Sequence, residues 1–352
     1  MKQPQRPRRP ARAGATGLSR RKLAHLDACL SDEVDQRRDS FARWKLRYNA
    51  LPEIALEDVS TAGEFAGRAI AAPIIISCMT GGSGKRFRAI NRNLALGAQA
   101  LGIPLGLGSM KVMLSQPDAA ASFAVRGLMP DAPLIANLGL VSFNHGLDFA
   151  DMERILEAVR PDAFGLHLNA LQEAVQEGGD TDFRGLERLL ADLVRRCPVP
   201  VFVKECGGGL APEVVRRLAG AGARYIDISG SDGTSWAAVE ARLSADPSLG
   251  ELFRDFGLPT AWVLERLGPE HTGSAAIIAG GGIRDGLQAA KAIALGARYV
   301  SVARPFLLAA EHSPERVIAL GRRLIRELRT AMFLVGVKRV EGLTRDLLVD
   351  AR

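Results

Sequence analysis

Residues 275–303 read AAIIAGGGIRDGLQAAKAIALGARYVSVA. The stretch opens on a continuous apolar run, Ala275–Gly281, turns through glycine, and continues as an amphipathic segment, Asp285–Leu295. Gly296 stands where a helix C-terminus favours glycine, and a second apolar run follows at Tyr299–Ala303. Two apolar strands joined by a helix form a unit of a parallel sheet covered on both faces. Working outward, the same alternation recurs at intervals of roughly 30 residues. The other strand candidates are Pro73–Thr80, Pro104–Ser109, Pro133–Leu140, Ala163–Asn169, Pro200–Gly207 and Tyr225–Gly230. Helical stretches fall between them, among them Arg86–Leu101, Phe183–Arg196 and Pro212–Ala221. Eight strand-then-helix units in succession predict an α/β fold, a (β/α)8 TIM barrel with an N-terminal extension. The competing arrangement is an open doubly wound sheet.

The gap from Ser231 to Ser274 exceeds what one helix needs, and predicts an insertion holding Trp236–Leu243 and Thr260–Leu267. Ser313–Val335 supplies the closing helix. The organisation expected is a disordered basic tail at 1–19, an extension at 20–70 and the barrel at 71–352. Of the chain's 352 residues, 47% are hydrophobic and 24% charged, a composition that builds a large core without disulfides or metals. The formal charge is +7, but residues 1–22 carry eight basic side chains and no acid, which leaves −1 for the rest. That near-neutral body excludes a globally basic nucleic-acid-binding domain, and no nucleic-acid partner is expected. Pro4, Pro7 and Pro10 argue against a helix in the tail. Cys29, Cys78, Cys197 and Cys206 form no metal or C-x-x-C spacing, and no secretory or membrane-spanning run is present. The chain is therefore read as cytoplasmic, with reduced thiols and no membrane association.

In a barrel of this kind chemistry sits where strands end. Those ends read Thr80-Gly81-Gly82, Ser109, Asn137, His167 with Asn169, Lys204 with Glu205, Ser229, Gly280-Gly281-Gly282 and Ala303. Nearly every strand finishes on a hydrogen-bonding group or a glycine, which describes a lined pocket. AGGGIRDG, residues 279–286, follows a strand and opens a helix, so its backbone N–H groups suit a phosphate. No acid follows at dinucleotide-fingerprint spacing, and the expected ligand is a mononucleotide. In HLNALQE, residues 167–173, alternation puts His167 and Asn169 on one face, with Gln172 and Glu173 just beyond. A carboxylate beside amide and imidazole groups suits Mg2+ bound to a substrate phosphate. Arg21, Lys22 and His25 read as an anion clamp or as a solvated basic run.

At these residues the chain resembles the type 2 isopentenyl-diphosphate isomerases, the FMN-dependent class. The carriers are RKLAH (21–25), SCMTGG (77–82), INRNLA (90–95), ANLGL (136–140), HLNALQE (167–173), VKE (203–205), DISGSDGTSW (227–236) and AKAIALGA (290–297). The resemblance implies FMN at the strand ends, with Mg2+ and a prenyl diphosphate above it. It also implies NADPH as reductant of the flavin, although the isomerisation has no net redox change. By position, Met79, Thr80, Ser109, Asn137, Lys204, Ser229, Thr234, Gly281, Gly282, Ala303 and Arg304 look like flavin contacts. Arg21 and Lys22 from the extension, with Ser109, Lys111, His167, Asn169 and Gln172, look like substrate contacts. His167, Asn169 and Gln172 take the catalytic positions and Glu173 that of the metal ligand.

Several positions depart from the family pattern, among them Leu23 and Ala24, which stand after Arg21-Lys22 where polar residues are common. Met110-Lys111 replaces a common Gln-Arg pair, which removes a bidentate fork. Asp232 replaces a glycine near the flavin, where a carboxylate repels phosphate unless it points to solvent. Gly280 replaces a serine and removes a hydroxyl donor. Alternative activities are a divergent enzyme acting on another prenylated substrate, a net-redox FMN oxidoreductase such as a 2-hydroxy-acid oxidase, and a nucleic-acid binder using the tail. A homo-oligomer is expected.

Overall fold

The run Ile74-Ile75-Ile76 is buried at every position, as a strand covered on both faces requires. In the computed structural model, which describes residues 15–351, it is the first strand of a closed eight-stranded barrel. The strands are β1 (Ile74–Ile76), β2 (Leu105–Gly106), β3 (Leu134–Gly139), β4 (Ala163–His167), β5 (Val201–Lys204), β6 (Tyr225–Asp227), β7 (Ala276–Ala279) and β8 (Tyr299–Val302). Each pairs in parallel with its neighbours, and Val300 opposite Ile74 closes the ring, which excludes the open sheet. All eight expected strands are present, but shorter. Some of their polar ends, such as Ser77–Thr80, belong to loops, whereas Asn137, His167 and Lys204 stay within β3, β4 and β5.

The expected helices form within a few residues of their sequence bounds. They include α2 (Lys85–Leu101), α5 (Leu186–Arg196), α6 (Pro212–Gly220) and α9 (Gly286–Ala294), with α3 (Phe149–Val159) and the short α4 (Ala170–Val175) between them. The insertion between β6 and β7 carries α7 (Trp236–Leu243) and α8 (Thr260–Arg266). After β8 come α10 (Arg304–Ala310) and α11 (Pro314–Leu334), the closing helix.

The N-terminal extension serves both ends of the barrel. Its helix α1 (Ala15–Leu30) packs on α7 beside the strand C-termini. This helix begins inside the stretch expected to be disordered: Ala15–Ser19 is helical, past the last of the tail's prolines at Pro10 and in spite of Gly17. Residues 1–14 of that expected tail lie outside the described residues. Further on, Trp44–Leu46 pairs antiparallel with Leu348–Asp350. The hairpin Gly63–Phe65 with Arg68–Ile70 then plugs the opposite end, where Phe65 stacks on Tyr225 with ring centroids 4.4 Å apart. Only the first part of the extension therefore stands beside the strand C-termini. Among the described residues no helix is long and apolar enough to cross a membrane.

Candidate functional site

A cleft opens at the C-terminal ends of the strands. Eight of the residues expected to contact flavin line it: Met79, Lys204, Ser229, Thr234, Gly281, Gly282, Ala303 and Arg304. Gly281 and Gly282 adopt φ of 89° and 82°, a region that L side chains rarely enter. A Cβ on Gly281 would land on the Gly230 carbonyl, and one on Gly282 on the Asp232 side chain. The turn after β7 is thereby pressed against the turn after β6, with its backbone facing the cleft. Lys204 projects from the end of β5; its Nζ donates to the Glu205 carbonyl at 2.5 Å and lies 3.6 Å from Cys206 Sγ. Burial works against this ammonium, but Cys206, Asp227, Cys78 and Glu205 outweigh it and hold its pKa above the usual lysine range. Burial pushes the Cys78 and Cys206 thiols up to about 12 and about 11, so both line the cleft as neutral groups.

Three expected flavin contacts lie outside this lining. The Thr80 hydroxyl donates to Asn91 Oδ1 in the core, and Asn91 in turn donates to the Ser122 carbonyl. Asn137 faces His167, its Oδ1 3.0 Å from Nδ1. Ser109 is half-buried, with its backbone packed where a Cβ of Gly81 would stand. Arg304 does line the cleft, but its guanidinium is committed to the extension. It donates to the Cys29 and Leu30 carbonyls and to the carboxylates of Asp32 and Asp35, at 2.7–3.3 Å.

A second group of side chains sits beside the cleft. Trp236 lines the main cleft and both side chambers next to it. Behind it Glu240, only 3% exposed, accepts from Arg21 (3.1 Å), from His25 Nε2 (2.9 Å) and from Gln172 Nε2 (2.8 Å). Burial raises its pKa, but these partners prevail and hold the carboxyl below the usual glutamate range. Glu240 thus joins α1, α4 and α7, three elements that the chain places far apart.

Lys22 is half-buried, with no ion-pair partner within reach among the described residues; burial and its neighbours Lys111 and Arg21 lower its pKa. Burial, with Lys204, Lys22 and Lys111, pushes the His167 imidazole down to about 3. His167 is therefore neutral at physiological pH, and the Asn137 carbonyl oxygen assigns the proton to Nδ1. Lys204, Lys22 and Lys111 thus stand around a neutral ring.

The residues present fit the groups that the family uses. A glycine cradle at the end of β7, facing Lys204 across the cleft, suits a flavin mononucleotide, whose phosphate takes backbone donors. Glu173 accepts from Asn169 Nδ2 at 2.7 Å and from the Asp180 N–H at 2.7 Å. Asn169 Oδ1 beside it is buried with no hydrogen-bond partner among the described residues. Two hard oxygen donors of this kind suit Mg2+ shared with a substrate phosphate. Among the described residues no cluster of three or more His, Cys, Asp and Glu forms an all-protein cage.

The departures have structural explanations. Asp232 neither points to solvent nor confronts the cleft: its Oδ2 accepts from Ser40 Oγ (2.6 Å) and from the Thr260 N–H (2.8 Å), tying the extension to α8. These donors take the place of water on the carboxylate, and Asp232 is not among the residues that line the cleft. A Cβ on Gly280 would meet Asp227 and the hydroxyls of Ser301 and Ser229. Those three already bond to one another, with Ser229 Oγ 2.9 Å and Ser301 Oγ 2.7 Å from the Asp227 carboxylate. Gly280 is small because Ser301 supplies the hydroxyl there. Met110 is wholly buried, and Lys111 pairs with Asp180 at 2.8 Å.

Glu240, Asp227 and Trp236 were absent from the expected site residues. Glu240 left one trace, a lone acid in the mainly apolar WAAVEARL of α7.

A family model described as FMN-dependent dehydrogenase matches residues 157–350. The isopentenyl-diphosphate delta-isomerase of Paracoccus zeaxanthinifaciens is 43% identical over 322 residues, covering 90% of this chain and 92% of that one. The enzyme of the same name from Deinococcus radiodurans is 43% identical over 332 residues (92% and 96%), and that from Methanothermobacter thermautotrophicus 40% over 331 (94% and 92%). Among solved structures, a mutant flavocytochrome b2 with pyruvate bound has a TM-score of 0.68 at 17% identity, covering 93% of this chain and 83% of that one. An (S)-mandelate dehydrogenase mutant has a TM-score of 0.65 at 18% identity (94% and 99%). At such identities the structures speak for the fold alone. The sequence relatives, alike over nearly their whole length, place the chain in the FMN-dependent, type 2 isopentenyl-diphosphate delta-isomerase family.

Proposed function

We propose that this chain interconverts isopentenyl diphosphate and dimethylallyl diphosphate on reduced FMN, with Mg2+ at Glu173 and NADPH as the flavin's reductant. The observation that carries the reading is Lys22, which has no ion-pair partner among the described residues and lines a side chamber that shares Met79 and Trp236 with the glycine-lined cleft, near Lys111 and a neutral His167. Arg21, Lys22 and Lys111 bind the diphosphate, whose attraction supplies remote binding energy to hold a small apolar alkene in place. The neutral imidazole of His167 orients the substrate by hydrogen bonding and adds no charge of its own. Asn169 and Gln172 contact the substrate beside Glu173, with Gln172 held by Glu240. Lys204, Ser229, Thr234 and the Gly281-Gly282 turn hold FMN. When bound and reduced, FMN supplies acid–base chemistry toward an unactivated alkene that side chains lack. Trp236 and Met79 exclude water around the alkene, where developing positive charge must survive. The four free cysteines support a reducing, cytoplasmic setting; a homo-oligomer remains part of the proposal.

The test supplies the protein with FMN, Mg2+ and isopentenyl diphosphate under anaerobic conditions, with and without NADPH. The reading requires dimethylallyl diphosphate only in the NADPH-reduced sample. Reduced, flavin-loaded protein that leaves the substrate intact would overturn it.

A further inference from the structure

Lys111 and Glu173 stand on short helices in different connections, after β2 and β4, yet one residue touches both. Asp180 donates its backbone N–H to Glu173 Oε2 at 2.7 Å and takes the Lys111 ammonium on Oδ2 at 2.8 Å. Its other oxygen, Oδ1, lies 3.4 Å from Nδ1 of His145, whose Nε2 is buried without a hydrogen-bond partner among the described residues. Glycines place it there. Gly178 turns the chain with φ of 67°, and a Cβ on Gly179 would land on the Glu173 carbonyl, so the loop from 173 to 180 closes back on its own start.

Lys111 needs such a partner. It sits near Lys22, and both add to the positive field at His167. A lysine is a point charge on a flexible stem, without the planar fork by which arginine fixes its own geometry. Half-exposed and beside like charge, it would swing to solvent unless a carboxylate held it. Asp180 is that carboxylate, with its side chain only 27% exposed.

Resting on the isomerase reading, we propose that Asp180 is a positioning residue of the diphosphate subsite. Its carboxylate keeps Lys111 turned to the substrate's phosphates, and its N–H keeps the Glu173 carboxylate oriented. One loop thereby sets the subsite's cation and its acidic ligand together.

The test uses the FMN-loaded full chain with Mg2+. Inorganic diphosphate is titrated in by calorimetry, and isopentenyl diphosphate turnover is measured in parallel. Asp180→Asn keeps the N–H on Glu173 and removes only the charge that holds Lys111. Both the diphosphate Kd and the KM are expected to rise about fivefold, the worth of one partly exposed charge pair. The kcat should stay within about twofold, and the Mg2+ concentration for half-maximal rate should not move. Lys111→Met alone should raise Kd and KM, and adding Asp180→Asn to it should cost nothing more. Asp180→Glu should recover part of the loss. Unchanged Kd and KM in Asp180→Asn, or an equal further loss in the Lys111→Met background, would overturn the proposal. So would a joint fall of kcat, flavin content and Tm with KM unmoved. A parent protein that binds diphosphate through Asp180 but yields no dimethylallyl diphosphate would sink the isomerase reading and leave this inference standing.

Discussion

At the N-terminal end of the barrel, Phe65 lies between Tyr225 and Tyr299, stacked on the first and edge-to-face with the second. The polar atoms of this plug are paired: the Ala66 N–H donates to Tyr225 Oη at 2.9 Å, and Tyr299 Oη donates to the Glu64 carbonyl at 2.6 Å. Asp162 nearby joins Arg68 to Arg126. At the C-terminal end stand left-handed glycines after β7, Lys22 of α1 without an ion-pair partner among the described residues, and buried atoms such as His25 Nδ1 of α1 and Asn169 Oδ1 that find no hydrogen-bond partner among the described residues. One end satisfies its own groups and stabilises. The other leaves groups for a ligand to satisfy, and an unmet buried polar atom costs stability that only binding returns. The division of a TIM barrel into a stability face and a catalytic face is thus visible atom by atom.

Phe65→Ala should have the largest effect. Emptying the plug is expected to cost about 3–5 kcal/mol of stability, read from the denaturant midpoint, with flavin affinity and the kcat of folded protein unchanged. A fall in kcat at unchanged stability would break the separation of the two ends. Glu173→Gln should do the reverse: kcat/KM is expected to drop about a hundredfold, with loss of Mg2+ dependence and an unchanged Tm. Activity that survives with its Mg2+ requirement intact would remove Glu173 from the metal site.

Gly280→Ser sharpens the comparison inside the catalytic end. Its side chain would crowd the Asp227–Ser229–Ser301 cluster, costing about 1–3 kcal/mol, and Ser301→Ala in that background should recover part of the loss. An unchanged Tm would show that the cluster has room.

The smallest effect concerns pH. His167 titrates near pH 3 in the folded chain against an ordinary value of 6.5, so between those values the unfolded state binds the extra proton. Stability therefore falls as pH is lowered through that window. The denaturant midpoint should be lower at pH 5 than at pH 7.5, and His167→Gln should flatten that difference. Equal slopes in parent and variant would contradict the buried, neutral imidazole.

The barrel was legible because Ile74–Ile76 and its counterparts are apolar without interruption, a pattern that needs no distant information. The polar strand ends were legible for the same local reason: Lys204, Ser229 and Gly281-Gly282 follow directly on those runs. Pairing across the chain left no such mark. Glu240 meets Arg21 and His25 from more than 200 residues away, and its one local trace, an acid in a mainly apolar helix, does not name those partners. The partners of Asp232 and Arg304 were hidden for the same reason: folding hands Asp232 to Ser40 and Thr260, and gives Arg304, which still lines the cleft, to Asp32 and Asp35. The hairpin plug escaped notice because Phe65 shows its purpose only against Tyr225 and Tyr299.

The central claim, isomerisation without net redox change, is tested most directly by counting turnovers per flavin. The FMN-loaded protein is photoreduced without NADPH, given Mg2+ and isopentenyl diphosphate in D2O under anaerobic conditions, and followed by NMR and visible absorbance. The account predicts many equivalents of deuterated dimethylallyl diphosphate for each flavin, with the absorbance still that of the reduced form. At most one equivalent of product per flavin, with the oxidised spectrum restored, would contradict it and assign the site to a net-redox reaction.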